Sequence, residues 1–215
     1  MRHGYEDRAD AGRVLAATAQ LQAYAGRDDV VVLGLPRGGV PVALPIARAL
    51  RAPLDVVLVR KLGLPEQPEL AMGAVASIGG TVQVVRNDSV VQAASERVFE
   101  EVHQHELVEL RERERRYRAG RPPVVVTERV VILVDDGLAT GASMRAAVAA
   151  VRAQRPARIV VAVPVGAEEA CADLAREADE VVCAWIPQAF WAVGQAYADF
   201  RPTSDEEVVA ALHTG

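Results

Sequence analysis

Val130-Val131-Ile132-Leu133-Val134-Asp135-Asp136-Gly137-Leu138-Ala139-Thr140-Gly141-Ala142-Ser143 decides the fold of this 215-residue chain. The run 130–134 is apolar, mostly β-branched and too short for a helix. It reads as a strand buried on both faces. An acidic pair follows, then small residues leading into a helix predicted over 142–153. Strand, acidic turn and helix in that order form the unit of an α/β fold.

The unit recurs outward in both directions. Short apolar runs at 30–33, 54–59, 159–163 and 180–185 predict further strands. Helical spacing predicts helices over 8–24, 41–50, 167–177 and 205–212, with Pro41 in a first turn. Residues 72–77 and 81–85 read as two strands joined by a turn at Ile78-Gly79-Gly80. Strand and helix alternate, so the predicted class is α/β, with a central parallel sheet flanked by helices. The chain is expected to be one domain, 1–215. Residues 1–28 and 88–120 are then helical additions to the core that could form a hood. The second addition lacks Pro and Gly from Asp88 to Arg118, and about 30 helical residues would span about 45 Å. Glu109–Arg113, Glu112–Arg116 and Glu114–Arg118 stand at i,i+4. Such a helix is either a solvated face or a lid or oligomer contact.

Composition fits the same picture. Hydrophobic residues make up 51% and aromatics only 4%, so Val, Ala, Leu and Ile must fill the core. A net charge of −5 argues against general polyanion binding, and no nucleic-acid partner is expected. No run of about 18 apolar residues occurs, so no membrane span is expected. The polar start, Met1 to Arg8, does not read as a secretory signal. Cys171 and Cys183 form no CxxC pair and read as reduced core thiols of a cytoplasmic protein. The four histidines, His3, His103, His105 and His213, form no ligand cluster.

Ligands of open α/β sheets sit at the carboxyl ends of strands. After 130–134, Asp135 and Asp136 suit a cis-diol or a divalent cation. Gly137, Leu138, Ala139, Thr140, Gly141, Ala142 and Ser143 offer backbone N–H groups and two hydroxyls, a cradle for phosphate. Together they fit a ribose 5-phosphate. After the strand at 30–33, Pro36-Arg37-Gly38-Gly39 lets backbone approach an anion, and Arg37 can bridge two phosphate oxygens. After 54–59, Arg60 and Lys61 open a Gly- and Pro-bearing loop to Glu69. Glu66 or Glu69 could serve as acid or base, or be plain surface carboxylates. Residues 186–200 hold Phe190, Trp191, Tyr197 and Phe200 in a chain with only two Trp, four Tyr and three Phe.

With those residues in view, the chain resembles the type I phosphoribosyltransferase family, over about Val30 to Phe200. The acidic pair and the Leu138–Ser143 run look like its motif for 5-phosphoribosyl-1-pyrophosphate. The resemblance implies displacement of pyrophosphate by an acceptor of nucleobase character. It implies pyrophosphate at Pro36, Arg37, Gly38 and Gly39, often with a strained peptide bond there. It implies further cations at Arg60 and Lys61 on a flexible loop, with Lys61, Arg37 and Asp136 central to catalysis. It implies Mg²⁺ near Asp135, Asp136 and Asp199. Base contacts would come from Phe190, Trp191 and Val193, and a homodimer is common in such folds. One departure stands out: hypoxanthine-type relatives carry an acidic base where Ala139 stands here. The family also includes non-catalytic regulators that sense the same ligand.

Overall fold

The computed structural model describes residues 4–214, apart from the side chains of Pro68 and Glu69. Helix α1 (Arg8–Ala16) and the short α2 (Ala19–Gln22) lead into strand β1 (Val30–Gly34) and α3 (Gly39–Leu50). Strands β2 (Leu54–Leu64), β3 (Gln67–Ile78) and β4 (Thr81–Arg86) follow, then α4 (Asp88–Ala94) and α5 (Glu96–Arg118). The rest alternates: β5 (Val130–Val134), α6 (Ala142–Ala153), β6 (Arg158–Val165), α7 (Glu168–Leu174), β7 (Glu180–Trp185) and α8 (Asp205–Thr214).

The seven strands form one sheet in the order β4-β3-β2-β1-β5-β6-β7. From β2 across to β7 the neighbours run parallel, with β1 and β5 in register from Val30↔Val130 to Gly34↔Val134. The expected parallel sheet is therefore extended by an antiparallel edge, because β2, β3 and β4 are joined as hairpins. The period-2 alternation of strands sends Val30, Val32, Val130 and Ile132 to one face. They meet α3, α5 and α8 there, while Val31, Leu33, Val131 and Leu133 meet α6 and α7. Strands covered on both faces need the continuous apolar runs seen in the sequence.

Three boundaries differ from the sequence-based expectation. The helix predicted over 8–24 breaks near Thr18, whose hydroxyl donates to the Leu15 carbonyl at 2.8 Å. The helix predicted from 88 to 118 breaks at Ser95, whose φ of +119° separates α4 from α5. Both Val91 and Phe99 are buried, and the break lets each reach the core from its own helix. The loop predicted from Arg60 to Glu69 is mostly hairpin, with only Pro65 and Glu66 in the turn. Gly63 marks a register irregularity rather than a loop, and buried Leu62 and Met72 anchor the paired strands.

Candidate active site

Two loops adjoin at the carboxyl ends of the paired strands β1 and β5. Leu35 N–H donates to the Val134 carbonyl at 2.8 Å, drawing the 36–39 turn towards the acidic pair. The fit depends on missing side chains. A Cβ on Gly38 would lie 2.0 Å from Asp136 Oδ2, and one on Gly39 would lie 2.5 Å from the Val134 carbonyl oxygen. The peptide bond between Pro36 and Arg37 is cis. Arg37 itself is about half exposed, with Nη1 3.9 Å from Asp205.

The two carboxylates are held differently. Asp135 Oδ1 accepts from the Asp136 backbone N–H at 2.8 Å. Burial, then the neighbouring Asp136 charge, pushes the Asp135 carboxyl well above the usual carboxylate range. Burial also raises Asp136, but a guanidinium opposes it. That guanidinium is Arg8, on α1. Its Nε donates to Asp136 Oδ2 at 2.8 Å, and Nη2 lies 2.8 Å from the same oxygen. Arg8 Nη1 donates to the Arg201 carbonyl at 2.8 Å, and the guanidinium stacks 4.0 Å from the Phe200 ring centroid. Tyr197 Oη donates to the Asp136 carbonyl at 2.5 Å, and burial raises its phenol pKa.

Sequence reasoning missed Arg8 and the structural role of Tyr197. Arg8 looked like an ordinary first-turn residue, and nothing local marks a contact 128 positions away.

Past the carboxylates, Gly137 and Leu138 are buried while Ala139, Thr140, Ala142 and Ser143 are exposed. Leu138 N–H is taken by the Val165 carbonyl. Gly141, at φ +71°, turns the chain into α6, and Thr140 Oγ1 accepts from Ala142 N–H at 3.4 Å. The start of this twelve-residue helix thus opens to solvent with its N–H groups forward, where a phosphate is favoured.

Of the other expected residues, Phe190 and Val193 adjoin these loops, and the rest make different contacts. Arg60 Nε donates to Glu106 Oε2 of α5 at 2.5 Å. Lys61 borders a separate shallow cavity with Leu64, Pro65, His105 and Glu106. Glu66 is exposed in the hairpin turn, and the side chain of Glu69 lies outside the described residues. Phe190 packs with Tyr5, Val165 and Tyr197, whereas Trp191 is 88% exposed. Val193 sits over Gly137, where a Cβ would come within 2.6 Å of it. Asp199 faces Arg201, accepting from its N–H at 3.1 Å and lying 3.6 Å from its Nη1.

Among the described residues, no three His, Cys, Asp or Glu side chains cluster to hold a metal ion. Of the expected trio of Asp135, Asp136 and Asp199, the last faces Arg201. The remaining donor set is two carboxylates, with one Asp136 oxygen already shared with Arg8. That set fits Mg²⁺ carried mainly by waters and ligand oxygens rather than a protein cage.

The geometry therefore sets a solvent-open helix start, a carboxylate pair and a glycine-bearing turn side by side. A model of the "Phosphoribosyl transferase domain" matches residues 5–201. The chain is 50% identical over 211 residues to "Putative phosphoribosyl transferase Rv0571c" of Mycobacterium tuberculosis strain H37Rv. It is equally similar to "Putative phosphoribosyl transferase MT0597" of strain CDC 1551. Each match covers 97% of this chain and 46% of the relative, so the chain spans about half their length. The crystal structure of TT1426 from Thermus thermophilus superposes with a TM-score of 0.84 at 46% identity, covering 99% of this chain and 98% of that one. By its matched sequence and its fold, this chain belongs to the phosphoribosyl transferase family.

Proposed function

We propose that the protein binds 5-phosphoribosyl-1-pyrophosphate and transfers its phosphoribosyl group to a nucleobase-like acceptor. The bond from the anomeric carbon to pyrophosphate breaks, and a bond to an acceptor nitrogen forms. The observation carrying this reading is the apposition of the Pro36–Gly39 turn to Asp136, which depends on Gly38 lacking a side chain. It sets a diol site and a leaving-group site within one ligand's reach.

Residues 137–143 would hold the 5-phosphate, and Asp135 and Asp136 the ribose hydroxyls. Pro36, Arg37, Gly38 and Gly39 would hold pyrophosphate, joined by Arg60 and Lys61 once Arg60 leaves Glu106. Exposed Trp191, with Phe190 and Val193, would meet the acceptor. Mg²⁺ bound beside Asp135 and Asp136 would supply charge neutralisation. The chain's part is to position the sugar and stabilise the leaving group's charge. A cytoplasmic location and a homodimer go with this reading. Among the described residues, no helix is long and apolar enough to cross a membrane.

Calorimetry with 5-phosphoribosyl-1-pyrophosphate and Mg²⁺ tests it. Asp136→Asn should weaken binding about 30-fold or more, as for loss of charge-assisted hydrogen bonds. Unchanged affinity overturns the assignment. Exposed Ala139, at the place of an acidic base in hypoxanthine-type relatives, supports a second reading, a regulator that senses the same ligand. Pyrophosphate release with a panel of bases separates the two.

A further inference from the structure

We propose that Arg113 and Arg116 of α5 bind pyrophosphate, so that this helix supplies leaving-group cations from above the Pro36–Gly39 turn. The inference rests on reading that turn as the pyrophosphate site, and it adds a wall to it.

The first observation is a failure of helix-surface pairing. Spacing predicts three Glu–Arg pairs along α5, each weakly stabilising. Of these only Glu114–Arg118 forms, at 3.0 Å. Arg116 turns instead to Asp205 at the start of α8. Arg113 makes no ion pair among the described residues. A helix that merely presented a solvated face would gain by closing these pairs.

The second observation is where the two arginines stand. Arg113 and Arg116, three apart and so on one face, share a cavity of about 300 Å³ with Pro36, Arg37, Glu109, Glu112 and Asp205. That volume is at the low end for small-molecule sites. Three guanidiniums converge on it, and planar guanidinium matches phosphoryl oxygens in pairs. The carboxylates do not disqualify it. Magnesium pyrophosphate carries both signs, so arginines can meet its oxygens while carboxylates meet water on the ion.

The third observation concerns the cation that the family resemblance gives to the leaving group. Arg60 is engaged by Glu106, about one α5 turn before Glu109. The same helix thus occupies one such cation, presents Arg113 without an ion pair among the described residues, and shares Arg116 with Asp205. Asp205 is fixed by the Tyr117 hydroxyl, which donates to it at 2.6 Å. Its link to Arg37 is longer, at 3.9 Å, so Arg37 can move to an incoming anion.

The test is calorimetric titration of the full chain with inorganic pyrophosphate and Mg²⁺, and separately with ribose 5-phosphate. Arg113→Ala and Arg116→Ala should each weaken pyrophosphate about tenfold and leave ribose 5-phosphate unchanged. Arg113→Lys should recover part of the loss. Arg97→Ala, on the same helix but paired with Glu101, should change neither. If Arg37→Ala loses pyrophosphate while the α5 variants keep it, the inference fails and the turn assignment stands. If Arg37→Ala keeps it, both fail. Equal losses of both ligands in Arg113→Ala would mark a general disturbance and overturn the inference.

Discussion

The segment after β5 and the outer part of β2 lie on strands separated only by β1, yet they hold charge in different ways. Asp135 accepts from a backbone N–H, and Asp136 is held by the Tyr197 hydroxyl at its carbonyl and by a largely buried guanidinium at its carboxylate. Arg60 is gripped by one partly buried carboxylate on α5. The first arrangement is fixed before any ligand arrives. The second rests on a single side-chain pair, so fewer bonds must break for Arg60 to exchange its partner. More bonds hold the Asp135–Asp136 side than hold Arg60 on the α5 side.

The sharpest way to break that comparison is at the C-terminal end of α5. Arg118 pairs with buried Asp55 at 2.9 Å and with Glu114. Arg118→Ala leaves the Asp55 charge without its cation and should cost about 3 kcal/mol, read as a lower urea midpoint at unchanged slope. Ribose 5-phosphate affinity should hold. A loss of that affinity would show that the two regions are one unit.

On the Asp135–Asp136 side, Gly39→Ala places a methyl against the Val134 carbonyl. Overpacking of this kind costs about 2 kcal/mol, and here pyrophosphate binding should fall with stability. Full binding in the variant would mean that the turn is as adjustable as the α5 side.

The smallest effect has the opposite sign. Burial and the Asp136 charge raise the Asp135 pKa in the folded protein. A raised acid costs stability above its folded pKa, and the cost shrinks as pH falls below that value and is gone below the unfolded pKa. Asp135→Asn should therefore raise Tm near neutral pH, by about 3 °C, while weakening sugar binding. The gain should shrink on acidification. A lower Tm at neutral pH would mean that the charge is already compensated.

The same division governs how much the sequence reveals. The strand at 130–134 and its loop were legible because apolar run, acidic pair and small residues are neighbours in the chain. So were β1, β7 and the turn at Gly79-Gly80. Arg60–Glu69 misled because Gly63 and Pro65 are loop signals locally, whereas pairing with β3 is decided by partners up to Val75. Ser95 misled in the other direction: a polar residue without helix-breaking character ends α4, because Val91 and Phe99 must both reach the core. Arg8 was invisible, since its partners Asp136 and Arg201 are far along the chain. Asp199 fitted a metal role by order in the strip, but Arg201 two residues on claims it.

Arg8 also constrains redesign. One guanidinium braces the Asp136 carboxylate, lies against Phe200 and holds the Arg201 carbonyl. On the proposed function, a library meant to change the acceptor should vary exposed Trp191. Diversity at Phe200 would pull on the guanidinium that pairs with Asp136, so a change made there would be felt at the acidic pair as well.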